Sequence, residues 1–400
     1  MACKVRKIAA TYIFPGTSSP IKNGILVCDD DGTIIDILDR GDLFREEAGV
    51  EFYSGILAPG FVNTHCHLEF SHLHNKIEKH IGFSGFLEKI NQLRDEPADK
   101  EKTMQIADRK MWAAGIAAVA DVSNSELSLS VKQKSKINYH TFVEVFGFHP
   151  SRAERAFAKA EQVYRSFERA NLSASIVPHS PYSVSQELFE KVKNRAKEKG
   201  GLFSIHNQES KAETEFFISG KGAISKHFSV NLKLDTSHWK PTGKSSLQSI
   251  INYLPKENQL LLVHNTQTKK EDIKALKQHC SLVNTFFVLC PNSNLFIENE
   301  LPPVELFREE KLQICLGTDS LASNTELSIL QEMLTIQQNL PEVPLEELLS
   351  WACINGAKAL NISTTFGSFE KGKKPGVNLI TGIDFKTMKL TPNAKVKRLI

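Results

Sequence analysis

The chain lacks a long hydrophobic run, a paired Cys-x-x-Cys, a glycine-rich phosphate loop and any large excess of charge of one sign. Each absence removes a class of protein. The basic beginning, Met-Ala-Cys-Lys-Val-Arg-Lys, is followed by a short apolar stretch that stops at Pro15, so neither a signal peptide nor a membrane span is expected. With 49 basic against 46 acidic side chains the net charge is +3, which offers nucleic acid no electrostatic footprint. The cysteines number seven, scattered from Cys3 to Cys353, and read as reduced thiols of a cytoplasmic protein. No glycine-rich turn follows the apolar run ending near Thr64, as an open nucleotide-binding sheet would require. Trp239-Lys-Pro-Thr-Gly-Lys-Ser-Ser also lacks the Gly-x4-Gly-Lys frame, which leaves Lys240 and Lys244 as solvated lysines.

What is present is an apolar fraction of 41% over 400 residues, enough for one large domain and a smaller one. Leu57-Ala-Pro-Gly-Phe-Val-Asn-Thr-His-Cys-His-Leu-Glu69 reads as a strand that ends in His65-Cys66-His67. Residues i and i+2 of a strand share a face, so the two imidazoles can chelate one ion while Cys66 points away. An isolated His-x-His is more often a pair of ordinary histidines. Three further junctions make it a pattern: Gly201–Ile205 runs into His206-Asn-Gln-Glu209, Gln259–Val263 into His264, and Leu312–Leu316 into Gly317-Thr-Asp319. Each apolar run has a metal-competent side chain just past its C-terminal end, where a (β/α)8 barrel gathers its active-site groups.

Eight strand candidates follow in order: 61–67, 117–122, 138–146, 173–178, 202–206, 260–264, 286–290 and 313–317. Helical patterns separate them, as in 185–197, where Leu188, Val192 and Ala196 recur every four residues. Eight alternations predict an α/β fold, a (β/α)8 TIM barrel. The first 55 or so residues and the segment 366–380 are instead turn-rich and strand-like.

The pieces Pro59-Gly-Phe-Val-Asn-Thr-His-Cys-His67, Pro178-His-Ser-Pro-Tyr-Ser183, His206-Asn-Gln-Glu209, His264-Asn265, Cys290-Pro-Asn-Ser-Asn294 and Gly317-Thr-Asp-Ser-Leu-Ala-Ser-Asn324 together resemble the amidohydrolase superfamily. The similarity runs nearly end to end, within the cytosine-deaminase-like branch that holds triazine hydrolases and adenosine-type and S-adenosylhomocysteine-type deaminases. It implies a small β-sandwich of residues 1–56 and 362–400 beside a catalytic barrel of residues 57–361. It also implies a metal set of His65, His67, His206 and Asp319 with an open position for water. Strand four ends without the lysine that bridges two metals in many relatives, so one divalent ion is expected. Zinc suits these ligands, and ferrous iron would accept the same set.

In the resembled deaminases the glutamate equivalent to Glu209 protonates a ring nitrogen, and the aspartate equivalent to Asp319 takes a proton from the attacking water. His264 would polarise that water or the developing oxyanion, with a fourth histidine ligand as the competing role. His179 resembles a histidine that reaches the substrate. Glu69, two residues past His67, would point into the pocket, and Phe83 and Phe86 would stack on a flat ring. The run His-x-His-Leu-Glu-Phe-Ser is similar to one in aminodeoxyfutalosine deaminases. The implied reaction is hydrolysis of an exocyclic amino group on a small heterocycle, an adenine-type purine nucleoside first, with release of ammonia. Cyclic-amide hydrolysis and a pyrimidine, guanine or triazine substrate are the alternatives, and a scaffold without activity would have lost part of this set. Homodimers are frequent in the resembled family. The segments 70–110 and 210–255 would shape the mouth of the site.

Overall fold

A computed structural model describes residues 5–41 and 48–400; Cys3 and the start of the expected small domain lie outside the described residues. The six described cysteines are free thiols. Among the described residues no helix is long and apolar enough to cross a membrane.

The N-terminal strands are β1 (Arg6–Ile13), β2 (Ile21–Lys22), β3 (Ile25–Cys28), β4 (Ile34–Leu38) and β5 (Val50–Pro59). The eight expected strands then appear as β6 (Phe61–Cys66), β7 (Ile116–Ser123), β8 (Asn138–Val145), β9 (Ser173–Pro178), β10 (Phe203–Asn207), β11 (Leu260–His264), β12 (Thr285–Leu289) and β13 (Gln313–Leu316), and β14 (Val377–Asp384) and β15 (Lys389–Arg398) close the chain. Strands β6 to β9 and β10 to β13 form two four-stranded parallel sheets in sequence order. Their residues are almost all buried, as parallel strands covered on both faces must be.

The terminal strands make a third sheet, ordered β15-β14-β5-β1-β3-β4 with β2 on β1. Where a sandwich was expected, hydrogen bonding joins all seven strands into one sheet, with apolar residues on both faces, Ile8 and Leu26 on one and Ala9 and Ile25 on the other. A register shift between Ala10 and Tyr12 bends the long β1–β5 pair. Strand β5 runs to Pro59, past the expected boundary at residue 56, and passes into β6 through Gly60. A side chain at Gly60 would collide with the Pro375 carbonyl oxygen and meet the Ala117 methyl at 2.6 Å, so the two sheets abut where only glycine fits.

Connecting helices follow local signals. The helix Gln186–Lys199 begins where Ser185 accepts the Leu188 N–H and ends at Gly200 in the left-handed conformation, with Leu188, Phe189, Val192 and Ala196 buried. Side chains of β11 alternate, Leu260 and Leu262 packing toward the helices and Leu261 and Val263 filling the interior with Phe142, Phe286 and Val288.

Two local irregularities break this alternation at the strand ends. A register shift between Asn63 and Cys66 in β6 leaves Cys66 packed with the helix-facing core while His65 and His67 turn to the interior. His264, which continued alternation would send outward, has φ 75°, and its ring instead lies 5.5 Å from that of His206. At the meeting of β6 and β13 the His65 carbonyl accepts the N–H groups of Thr318 (2.9 Å) and Asp319 (3.1 Å), and between β9 and β10 the His179 carbonyl accepts the His206 N–H (3.0 Å).

Candidate active site

The C-terminal ends of β6, β10, β11 and β13 bring His65, His67, His206, His264 and Asp319 together, all buried. The His67 and His206 Nε2 atoms are 3.2 Å apart, and Asp319 Oδ1 lies 3.7 Å from His67 Nε2 and 3.9 Å from His65 Nε2. Gly317 makes the approach possible, since a side chain there would meet the His65 β-carbon at 2.7 Å. Backbone at Gln208 (φ 49°), His264 (φ 75°), Asn265 (φ 61°) and Asp319 (φ 55°) is left-handed, a conformation costly for residues with side chains and concentrated at functional sites.

Hydrogen bonds orient each group. His206 Nδ1 donates to the His179 carbonyl at 2.8 Å, which leaves Nε2 with its lone pair toward His67. The Asn294 amide donates to His264 Nδ1 at 3.1 Å, which puts the imidazole hydrogen on Nε2, 3.7 Å from Glu209 Oε1. Ser293 (2.6 Å) and Ser323 (2.8 Å) both donate to Asp319 Oδ2. Neither ring nitrogen of His65 has a partner although the residue is 0% exposed.

These features fit a bound cation. The His67 and His206 ring nitrogens converge at 3.2 Å, and an orphaned buried imidazole such as His65 costs free energy unless an ion lies beside it. His65, His67 and His206 form a group that could hold a metal ion, with Asp319 beside them. Burial, reinforced by the neighbouring imidazoles, keeps His65 well below its ordinary pKa, and His206 is held down to about 3, so both are neutral as ligation requires. Burial alone would raise Asp319. The imidazoles of His67 and His264 and the two serine hydrogen bonds outweigh it and keep the carboxylate ionised. Glu209 is pushed the other way, well above the usual carboxyl range, by burial first and then by the carboxylates of Asp319, Glu213 and Glu298.

A carboxylate braces each loop. Glu213 accepts the N–H groups of Gln208 and Glu209, both at 3.1 Å, and so fixes the turn that carries Glu209. Asp121 accepts the Leu68 N–H at 2.7 Å, just past His67, and pairs with Lys132 at 2.6 Å, both side chains fully buried. Lys132 spends its remaining hydrogens on Ser123 and Thr141, each at 3.0 Å.

The site opens into a cavity of about 400 Å³ lined by His67, His179, His206, Glu209, His264 and Asp319, and by Phe83 and Phe86 of the helix Gly82–Leu93. Phe83 packs edge-on to Tyr182. Glu69 is not part of this wall: its carboxylate accepts Asn124 N–H (3.0 Å) and Ser125 Oγ–H (2.7 Å), because the turn Leu68–Leu73 directs it to the loop after β7. The expected insertion 210–255 folds as short helices, with Trp239 stacked 4.0 Å from Phe216.

Sequence reasoning passed over Glu144, Asn124 and Phe146, all on the cavity wall, as well as the lysine–aspartate pair. A charged residue inside the apolar run Val143-Glu-Val-Phe146 was the available signal for Glu144.

The amidohydrolase family model matches residues 56–400. This chain belongs to that family. Among its relatives is an adenosine deaminase of Helicobacter pylori, 30% identical over 336 residues, covering 82% of this chain and 79% of the relative. The crystal structure of Helicobacter pylori aminofutalosine deaminase in complex with methylthio-coformycin superposes with a TM-score of 0.80 at 25% identity, covering 99% of this chain and 100% of the other. An adenosine deaminase from Xanthomonas campestris with bound zinc shares the fold at a TM-score of 0.74 and 19% identity, covering 96% and 86%. The architecture of this amidohydrolase is thus TIM-barrel-like α/β with an extra sheet, and its histidine-rich centre stands where a metal-dependent family needs one.

Proposed function

We propose that this amidohydrolase is a hydrolytic deaminase of an adenine-type nucleoside, which replaces the exocyclic amino group by oxygen and releases ammonia. The observation that carries the reading is Glu209, a buried carboxyl at the edge of a cavity beside four imidazoles and Asp319, with burial and neighbouring carboxylates raising its hold on a proton while Asp319 is shifted the other way. The relatives with adenosine and aminofutalosine in their names support the substrate class. We read the two parallel sheets as halves of one eight-stranded barrel, residues 57–361, joined by the hydrogen bonds at His65 and His179, with the terminal segments as a separate small domain.

His65, His67, His206 and Asp319 would hold one divalent ion, zinc by preference for nitrogen and carboxylate ligands. When bound, such an ion supplies a nucleophile at neutral pH by lowering the pKa of water to about 7. Asp319 takes the proton of the attacking water and passes it to the departing amine. Glu209 gives its proton to the adjacent ring nitrogen, which makes the ring carbon electrophilic, and recovers it as the amine leaves. His264 offers Nε2–H to the oxygen that gains charge. His179, Phe83 and Phe86 hold the ring.

The test is ammonia release by zinc- or iron-loaded protein from adenosine, methylthioadenosine, S-adenosylhomocysteine, aminodeoxyfutalosine, guanine, cytosine and melamine. Release from a purine nucleoside supports the reading. Silence across the nucleosides with metal confirmed bound overturns it.

A further inference from the structure

We propose that Glu144 is a specificity-determining residue that accepts hydrogen bonds from the sugar hydroxyls of the substrate, an inference that rests on the adenine-nucleoside reading above. Glu144 lies near the end of β8 on the cavity wall, its side chain 3% exposed. Its Oε2 accepts from Asn124 Nδ2 at 3.0 Å, and Asn124 is in turn fixed through its backbone N–H by Glu69. Glu69 thereby reaches the cavity indirectly, through the residue that sets the plane of Glu144.

The other oxygen, Oε1, stands 3.4 Å from His206 Nδ1. Two roles compete for it. Carboxylates often stand behind a metal-binding histidine and hold its ring through the distal N–H. Here that hydrogen goes to the His179 carbonyl at 2.8 Å, and a neutral ring carries no second one. Among the described residues no lysine or arginine forms an ion pair with Glu144, and Oε1 takes no protein hydrogen bond. Glu144 lines the cavity, and the cavity is where a donor for Oε1 can come from.

The chemistry of an adenine nucleoside narrows the choice of donor. Its exocyclic amine belongs beside Glu209 and Asp319, where it is lost, and the remaining donors are sugar hydroxyls. Glu144 sits on the Nδ1 edge of His206, away from the Nε2 edge that faces His67, and so is set back from the reacting carbon by the width of an imidazole. The sugar of a purine nucleoside is attached on the side of the base opposite the amino group. A carboxylate accepting ribose hydroxyls is a recurrent solution in nucleotide sites.

The experiment compares metal-loaded wild type with Glu144→Gln on adenosine, 2′-deoxyadenosine and 3′-deoxyadenosine, and measures by calorimetry the binding of inosine against its deoxy analogues. Expected is a wild-type preference for adenosine over at least one deoxy analogue of about 10-fold in kcat/KM, the worth of a hydrogen bond to an uncharged carboxyl, since burial pushes Glu144 up to about 8. Glu144→Gln should lose most on adenosine and bring that ratio toward one, with the same collapse in product binding. Asn124→Ala, which removes the amide that holds the plane of the Glu144 carboxyl, should narrow the ratio too and serves if Glu144→Gln melts early. Equal losses on all three nucleosides, or an unchanged ratio, would overturn the proposal while leaving the deaminase reading intact. A wild type that turns over no nucleoside would remove both.

Discussion

Glu209 and Asp319 are carboxyls a short distance apart in one buried centre, and their surroundings drive them to opposite protonation states. Asp319 has imidazoles and two serine hydroxyls to favour its charge, whereas Glu209 has burial and other carboxylates against it. A pair separated in this way divides the acid and base roles of a hydrolysis. Glu209→Gln keeps the shape and removes the transferable proton, so kcat should fall by about 10²–10⁴-fold, with metal content by atomic absorption and the melting temperature unchanged. A parallel loss of metal would mean that Glu209 acts as a ligand. The metal-competent residues were legible because each ends an apolar run, and alternation put His65 and His67 on one face. Alternation could not show that His264 turns inward, since that depends on a left-handed backbone at φ 75°. Glu144 went unread because a single charge within an apolar strand carries no spacing signature, and Glu69 was placed in the pocket because the turn after His67 has none either.

All eight parallel strands were legible within a residue or two of their ends, because strands buried on both faces are continuous apolar runs bounded by helical periodicity. The elements hidden from sequence are those made by contacts remote in the chain. Lys132 reads as one of two lysines in a short helix, yet it is buried against Asp121, Ser123 and Thr141, and it fixes the strand end that carries His67 through the Leu68 N–H. Lys132→Met should strand a buried carboxylate and lower the unfolding free energy by about 3–5 kcal/mol in urea titrations. Lys132→Met with Asp121→Leu should recover part of that loss. If the single variant is as stable as wild type, the pair is not carrying the charge balance the geometry indicates.

At the scale of the whole molecule, five side chains that spread over residues 65–319 meet only when both parallel sheets are in place, so metal binding and folding are linked. Stripping the ion with a chelator should therefore lower the melting temperature and raise the urea sensitivity. Restoring it at about 1,000 times its dissociation constant should return about 4 kcal/mol. The terminal segments were legible as strands but not as a single sheet, because pairing of β14 with β5, more than 300 residues away in sequence, is set by register and not by local pattern. The most direct measurement is simultaneous quantification of ammonia and hypoxanthine nucleoside from adenosine and methylthioadenosine, with zinc-loaded wild type and Glu209→Gln side by side. Equimolar ammonia and deaminated nucleoside from the wild type, and little of either from Glu209→Gln, is the expected result. Equal turnover by both proteins, or none by a wild type that holds its metal, would contradict the assignment.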